Sequence, residues 1–197
     1  AAWSLGKFTL GAEAGLASGD RGPGMGNQPA RGCYTAATPA GTTTCPAPTA
    51  GEIDGAQFGR RADGAVDSDI RNFRFNPAYR VDLILWRDIL QGMTDAWYLK
   101  PTARYEFIDG LAATLSLVYS QAIYASSTPS TTSTPLGIEV DAGLKYKSDD
   151  GFTAWIDYGM LQPLSGLGYG PGGTPADAPQ RDLSRAHVIR TGLAVSF

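Results

Sequence analysis

The stretch that decides the fold is the last one of the chain, Ala186-His-Val-Ile-Arg-Thr-Gly-Leu-Ala-Val-Ser-Phe197. Successive side chains of an extended strand point to opposite faces, so Ile189, Leu193 and Val195 share one face, which is apolar. The other face carries small or polar side chains, Arg190 among them. This alternation predicts a β-strand with an apolar neighbour on one face. That neighbour is either the core of a soluble β-domain or lipid.

The spacing of polar Arg190, small Gly192, hydrophobic Val195 and aromatic Phe197 resembles the carboxy-terminal β-signal of Gram-negative outer-membrane barrel proteins. That signal is the final strand, which the barrel-assembly machinery reads. The resemblance implies an all-β chain that forms an antiparallel transmembrane β-barrel in the cell outer membrane. It also implies outer-membrane lipid and the barrel-assembly machinery as partners, and these four residues as the assembly signal.

The composition fits a barrel better than a helical membrane protein. Hydrophobic residues make up 43% of the 197 residues, and no run of about 18 apolar residues could cross a bilayer as a helix. The 25 glycines suit tight turns, and the 9 tyrosines and 4 tryptophans suit aromatic girdles at the membrane interfaces. A net charge of -3 without a basic cluster argues against a nucleic-acid partner.

Alternating apolar and polar residues predict five further strands. Counted with the last strand they make six, whereas single-chain barrels have at least about eight. Either two strands lie within residues 52–76, or the chain is the carboxy-terminal part of a larger barrel, or several copies share one barrel. We favour the larger barrel. The five strands are Trp3–Ser18, Thr94–Phe107, Leu111–Tyr124, Gly137–Lys147 and Phe152–Gln162.

A second resemblance concerns residues 74–101, which are similar to the carboxy-terminal region of large export-type porins of the alginate-export kind. Residues 1–197 are therefore expected to form a single outer-membrane barrel domain, or the carboxy-terminal fragment of one. A long loop, residues 19–93, interrupts it between the first two strands. Residues 19–72 of this loop are rich in glycine, proline and threonine and show no sustained period.

Two features of the long loop suggest local chemistry. Cys33 and Cys45 do not form a CxxC pair and have no histidine nearby to complete a metal site. A disulfide between them is therefore predicted, which implies an oxidising compartment. Two free thiols are the alternative. Asp63, Asp67 and Asp69 are close enough in sequence to share a calcium ion, but a solvated acidic loop is favoured. No cofactor and no resident metal are expected.

Residues 77–91 allow two interpretations. Asn76 as cap, Pro77 at the first helical position and Gly92 as stop predict a helix of about 15 residues. Alternating apolar and polar residues between 73 and 85 equally allow a strand.

Chain direction favours the helix. If Phe197 ends at the periplasmic side, the short turns near 108–110 and 148–151 are periplasmic, and the connections 125–136 and 164–184 are extracellular. If residues 77–91 form a helix, the long loop stays extracellular and this short helix folds into the barrel. A strand there would instead place the loop in the periplasm.

This loop helix is predicted to act as a plug or constriction that carries Arg80, Asp82 and Arg87. Asp82 falls on the apolar side of the helix, where an unpaired carboxylate is costly. We therefore expect Asp82 to have a partner, such as an inward-facing arginine.

The inward faces of the strands carry charges of both signs, which either line a water-filled pore or pair across a closed lumen as structural salt bridges. His187 is the only histidine and falls on an outward face, so no enzymatic activity is expected. The predicted function is a porin-like channel or exporter that passes hydrophilic solutes by passive diffusion. The predicted pore-lining residues are Lys7, Glu13, Lys100, Arg104, Glu106, Glu139, Asp141, Lys145, Asp157 and Arg190.

Two alternative functions stay open. The barrel could anchor a surface assembly, with the other subunits of that assembly as partners. The chain could also be a soluble β-barrel that binds an apolar ligand, with inside and outside exchanged.

Overall fold

A computed structural model describes residues 1–19, 25, 75–76, 78–130, 132–168 and 183–196 of the chain. Within these residues, seven strands form one antiparallel sheet, and their order in space is their order in the chain. The predicted all-β antiparallel class is confirmed. The strands are β1 (Ala2–Leu5), β2 (Phe8–Ala17), β3 (Ala96–Ile108), β4 (Leu111–Ala122), β5 (Pro135–Lys147), β6 (Phe152–Pro163) and β7 (Ala186–Val195).

The first predicted strand is a hairpin of two strands. The chain reverses at Gly6, whose φ of 60° lies in the left-handed region that glycine adopts without a steric penalty. β1 pairs with β2 in antiparallel fashion, with Leu5 opposite Phe8. The prediction of a single strand over Trp3–Ser18 is therefore wrong, and the sheet has one strand more than predicted.

The other five predicted strands are confirmed, with ends that differ by one or two residues. The pairing registers also bring their apolar positions to one face of the sheet. On that face Leu115 lies opposite both Ala103 and Ala142, and Leu144 lies opposite Ile156. Each strand therefore separates its apolar side chains from its polar ones as the alternation predicts.

The two ends of the sheet differ. Short turns around Gly6, Gly110 and Gly151 join β1 to β2, β3 to β4 and β5 to β6 at one end, the short-turn end. Longer connections join the remaining neighbours at the opposite end, the long-connection end. The predicted placement of short and long connections at opposite ends is confirmed.

The segment before β3 is neither the predicted helix nor a strand. One π-helical turn, Leu85–Ile89, is its only helical part among the residues described. The Oδ1 of Asn76 accepts the Ala78 N–H at 2.9 Å, but a turn follows rather than a helix. Two acidic side chains, described below, take the backbone N–H groups that a longer helix would pair internally. No helix in the described ranges is long and apolar enough to cross a membrane.

Residues 78–93 cover one face of the sheet, and we call them the inner segment. The face that they cover is the inner face, and the opposite one is the outer face. Trp86 and Leu85 of the inner segment belong to the same buried core as Val118 of β4 and Leu161 of β6. The core therefore lies between the inner segment and the part of the inner face nearer the long-connection end.

The described sheet is open, with β1 and β7 as its edges. β2 pairs directly with β3 along ten consecutive positions, from Phe8 opposite Tyr105 to Ala17 opposite Ala96. β2 and β3 are therefore direct neighbours in the sheet. The alternative of two further strands within residues 52–76 falls almost entirely on residues outside the described ranges and stays a prediction.

Candidate functional site on the inner face

Polar side chains from five strands hold the inner segment on the sheet. Four of these five residues were predicted to face inward as charged pore-lining groups. In the structure they bind the inner segment. The anchoring residues are Glu13 of β2, Lys100 of β3, Ser120 of β4, Glu139 of β5 and Arg190 of β7.

Glu139 is the most buried of the charged anchors, at 1% exposure. Its carboxylate accepts the backbone N–H groups of Leu83 at 2.9 Å, Ile84 at 2.7 Å and Leu85 at 3.0 Å. A buried carboxylate is costly unless hydrogen bonds satisfy it. Three amide donors satisfy this one, and they also fix the start of the helical turn relative to β5.

Asp82 lies beside Glu139 and is also buried, at 3% exposure. Its carboxyl group accepts the N–H groups of Trp86 at 2.9 Å and Arg87 at 3.3 Å. The expected partner is therefore present, but it is the backbone of the inner segment rather than an inward-facing arginine. Burial, and then the charge of Glu139, raise the pKa of Asp82 to about 8.

Lys100 and Arg190 bind the inner segment on either side of the residues that Glu139 holds. Lys100 Nζ donates to the carbonyl oxygen of Val81 at 2.7 Å. Arg190 pairs with Asp88 at 2.5 Å and also donates to the carbonyl oxygen of Leu83 at 3.4 Å. The Arg190–Asp88 pair is partly exposed, so it contributes modestly to stability, about 1 kcal/mol or less.

Two tyrosines connect the inner segment to Glu13 of β2. The Tyr79 hydroxyl donates to Glu13 Oε1 at 2.5 Å, and Tyr98 donates to the same oxygen. Tyr98 lies over Gly15, where a Cβ atom would overlap its ring. The glycine in β2 thus makes space for the aromatic ring of β3.

The middle of the inner segment is anchored by a polar contact inside an apolar core. Trp86 is 3% exposed, and its Nε1 donates to Ser120 Oγ at 2.9 Å. Ile84 and Leu90 are buried in the same core. The inner face near the long-connection end is therefore closed by packed apolar side chains.

A polar pocket of about 220 Å³ lies between the inner segment and the sheet. The inner segment contributes three charged residues that were predicted to form a loop constriction, and the sheet contributes three that were predicted to line a pore. The structure brings both groups together. The six residues are Arg80, Asp82, Arg87, Lys100, Asp141 and Asp157.

The remaining predicted pore-lining residues lie nearer the short-turn end. Arg104, Glu106 and Lys145 project from the inner face of β3 and β5. Lys7 lies in the turn between β1 and β2, where its Nζ donates to the carbonyl oxygen of Phe107 at 2.9 Å. Lys7 is thus at the rim of the sheet, away from the pocket.

The residues of the predicted assembly signal have structural contacts of their own. Arg190 anchors the inner segment, as described above. Gly192 lies opposite Trp155, and a Cβ atom at Gly192 would overlap the tryptophan ring. Val195 lies opposite Phe152 and is 64% exposed. Phe197 lies outside the described residues.

The outer face is apolar along its whole height. Leu115 is 53% exposed and Leu193 is 75% exposed. Aromatic rings form a row near the short-turn end, with Tyr105 and Phe107 at a centroid distance of 5.1 Å. Near the long-connection end, Trp97 and Tyr119 are 5.4 Å apart. His187 also lies on this face, where its Nδ1 and the Tyr158 hydroxyl form a hydrogen bond of 2.8 Å.

Several contacts were not predicted from sequence. Tyr79, Tyr98 and Asp88 were not proposed as site residues, although they bind Glu13 or Arg190. The alternation places Tyr98 on the polar face of its strand, which is a usable signal for a buried tyrosine with a hydrogen-bond partner. Its pairing with Gly15 depends on the register between β2 and β3, which the sequence does not reveal.

Two predictions fall on residues outside the described ranges. These are the Cys33–Cys45 disulfide and the choice between a calcium site and a solvated loop at Asp63, Asp67 and Asp69. Both stay predictions.

Comparison with known proteins gives no match. No family model matches the chain. No curated protein and no solved structure matches it either. Functional inference therefore depends on the geometry of the two faces of the sheet.

Asp82 makes the attachment of the inner segment dependent on pH. Because its pKa is raised in the folded state, the docked segment favours the protonated form. The stabilisation is complete below the ordinary aspartate pKa of about 4 and is lost as pH rises through about 8. We expect amide protection at residues 83–87, corrected for intrinsic exchange, to fall progressively between about pH 4 and about pH 8.

The control for this prediction is Asp82→Asn, which keeps a hydrogen-bond acceptor but cannot ionise. The other titratable groups that face Asp82 are Glu139, Asp141 and Lys100. If the variant shows the same loss of protection as the unmodified protein, one of those groups is responsible and the assignment to Asp82 is wrong.

Proposed function

We propose that the protein is an outer-membrane β-barrel protein with a porin-like lumen, in which the inner segment narrows the passage for hydrophilic solutes. The observation that carries this proposal is the contrast between the two faces of the sheet. The outer face exposes large apolar side chains, whereas the inner face carries charged side chains around a polar pocket. Soluble monomers rarely expose apolar patches larger than a few hundred Å².

The height of the apolar band supports a membrane environment. Trp97 and Phe107 lie on the same face of β3, ten positions apart. At about 3.3 Å per residue and a strand tilt of about 40°, their separation along a membrane normal is about 25 Å. This equals the usual height of the apolar band between the aromatic girdles of outer-membrane barrels.

The open edges support the proposal of a larger barrel. Neighbouring strands alternate in direction, so β1 and β7 run in the same direction. They could pair with each other only in parallel, and the same holds between two copies with the same membrane orientation. An antiparallel barrel therefore needs an odd number of further strands between the two edges. In lipid those edges must be covered, because unsatisfied backbone groups are costly there.

The proposed lumen has two parts. Packed apolar residues fill the space between the inner segment and the sheet near the long-connection end, and the polar pocket lies beside them. Solutes would pass on the side of the inner segment that faces away from the sheet. The proposal gives no catalytic role to His187, which lies on the lipid side, and requires no cofactor.

A charged substitution on the outer face tests the membrane environment. Leu117 is 46% exposed and lies at mid-height on β4. We expect Leu117→Arg to lower stability by about 2–4 kcal/mol in lipid. In a soluble protein an exposed leucine tolerates this change. Thr153→Arg, on the inner face of β6 near the short-turn end, is the inner-face control, and we expect it to cost less than Leu117→Arg although Lys147 lies opposite.

Single-channel conductance in planar bilayers tests the function itself. Discrete steps that increase when residues 83–90 are replaced by a short glycine-serine linker would support a channel narrowed by the inner segment. Membrane insertion without conductance in either form would favour the alternative, a barrel that anchors a surface assembly. A protein that stays out of the outer-membrane fraction would overturn both.

A further inference from the structure

The outer face contains a groove that none of the functions above uses. Its floor is formed by small side chains on three neighbouring strands, Ala103, Ala113 and Ala142. Larger side chains stand beside them, among them Tyr105, Leu144 and Tyr158. The volume of the groove is about 580 Å³, which lies in the range of sites for small organic ligands, roughly 300–1,000 Å³.

The pairing registers explain why a groove forms here. Ala103 and Ala142 both lie opposite Leu115, whereas Ala113 lies opposite Tyr105 and Leu144. The alanines are therefore diagonal neighbours, and they make a continuous low path that crosses the strands. From β3 to β5 the path spans two strand spacings, about 10 Å at about 4.8 Å each, and the larger side chains that line the groove extend to Phe8 on β2 and Ile156 on β6. Such a path suits a linear apolar chain.

We infer that this groove binds one acyl chain of an outer-membrane phospholipid. The inference rests on the proposed membrane location, because the groove lies in the band between the two aromatic rows. The outer-face side chains that line it carry no charge, and their only polar groups are the hydroxyls of Tyr105 and Tyr158, of which the Tyr158 hydroxyl is hydrogen-bonded to His187. A charged ligand therefore finds no partner in the groove. An unfilled groove at this position would forfeit the dispersion contacts of its walls.

A second copy of the chain fits the groove less well. Twelve residues line it, whereas a stable protein interface uses about 20–30 residues on each side. The side chains around the groove also remain substantially exposed, with Tyr105 and Leu144 both at 42%. A single linear chain can cover these twelve residues, which by themselves are fewer than an ordinary protein interface uses.

The test is native mass spectrometry of the protein in mild detergent with added palmitoyl-oleoyl phosphatidylethanolamine. We expect one lipid to stay bound at collision energies that remove all others. Ala142→Phe fills the groove and should lower the retained fraction by about tenfold or more, which corresponds to the loss of two or more buried methylenes. Ala154→Phe, on the outer face of β6 but outside the groove, is the matched control and should retain the lipid.

Several results would overturn the inference. These are the absence of a retained lipid, an equal loss in Ala142→Phe and Ala154→Phe, and a dimer that Ala142→Phe dissociates. Circular dichroism shows whether Ala142→Phe folds. If it does not, a phospholipid with a photoreactive acyl chain is crosslinked to the unmodified protein to locate the bound chain. Crosslinks must then concentrate at Tyr105, Leu144 and Tyr158, and a uniform distribution over the outer face contradicts the inference.

Fractionation separates this inference from the proposed function. A protein in the outer membrane that retains no lipid refutes only the groove. A protein absent from that fraction refutes the membrane proposal, and the lipid site with it.

Discussion

Replacement of Glu139 by alanine is expected to release the inner segment from the sheet and to lower the free energy of unfolding by about 3–5 kcal/mol. The Glu139 carboxylate accepts three backbone N–H groups, those of residues 83–85, and is itself 1% exposed. Without it, two of these donors lie in the core with no acceptor, and buried unpaired donors cost about 1–3 kcal/mol each. Ionisation of Asp82 becomes easier at the same time, which offsets part of the loss.

Urea unfolding in detergent gives the stability, and hydrogen exchange at residues 83–90 reports the release directly. Glu106→Ala is the matched control, since Glu106 is also an inward-facing glutamate, on β3 near the short-turn end. If Glu139→Ala leaves the protection of residues 83–90 unchanged, the three hydrogen bonds do not hold the segment. In bilayers, the same variant should conduct more than the unmodified protein.

The second large effect is expected at Gly192. Trp155 belongs to the neighbouring strand β6, and its ring lies against Gly192 of β7. A Cβ atom at Gly192 would overlap that ring. Gly192→Val therefore forces the ring or the strand to move, and overpacking of this kind costs about 1–3 kcal/mol. Thermal unfolding and the yield of folded protein in the membrane fraction measure the effect. Ala194→Val, on the same face of β7, is the control.

A rescue experiment separates packing from recognition of the final strand by the assembly machinery. If Gly192 is needed because of Trp155, then Trp155→Ala should restore the folded yield of Gly192→Val. If Gly192 is needed only as part of an assembly signal, the second substitution changes nothing. Rescue of refolding from urea without any machinery would show the packing role most directly.

The alternation along each strand was enough to predict the faces of the sheet. Apolar residues at odd positions of β3 and at even positions of β6 share the outer face as predicted. The hairpin of β1 and β2 was missed although a signal was present. Trp3 and Leu5 are odd-numbered and Phe8 and Leu10 are even-numbered, so the alternation shifts by one position around Gly6. A two-residue turn produces that shift.

The inner segment could not be predicted because its conformation depends on groups distant in sequence. Asn76 and Gly92 are good helix boundaries, and local propensity alone favours a helix between them. Glu139 lies more than fifty positions away, and its carboxylate takes the N–H groups on which that helix would depend. Tertiary contact therefore overrode a reasonable local signal.

By itself, the sequence determined β3 to β7, the two faces and the charged residues that these strands contribute to the polar pocket, because side-chain direction in a strand follows from position alone. Only the tertiary structure decided what those charges bind. Register sets which residues are neighbours across strands, as for Gly192 and Trp155, and the docking of the inner segment sets which carboxyl groups become buried. Both depend on contacts between distant parts of the chain, so no local pattern contains them.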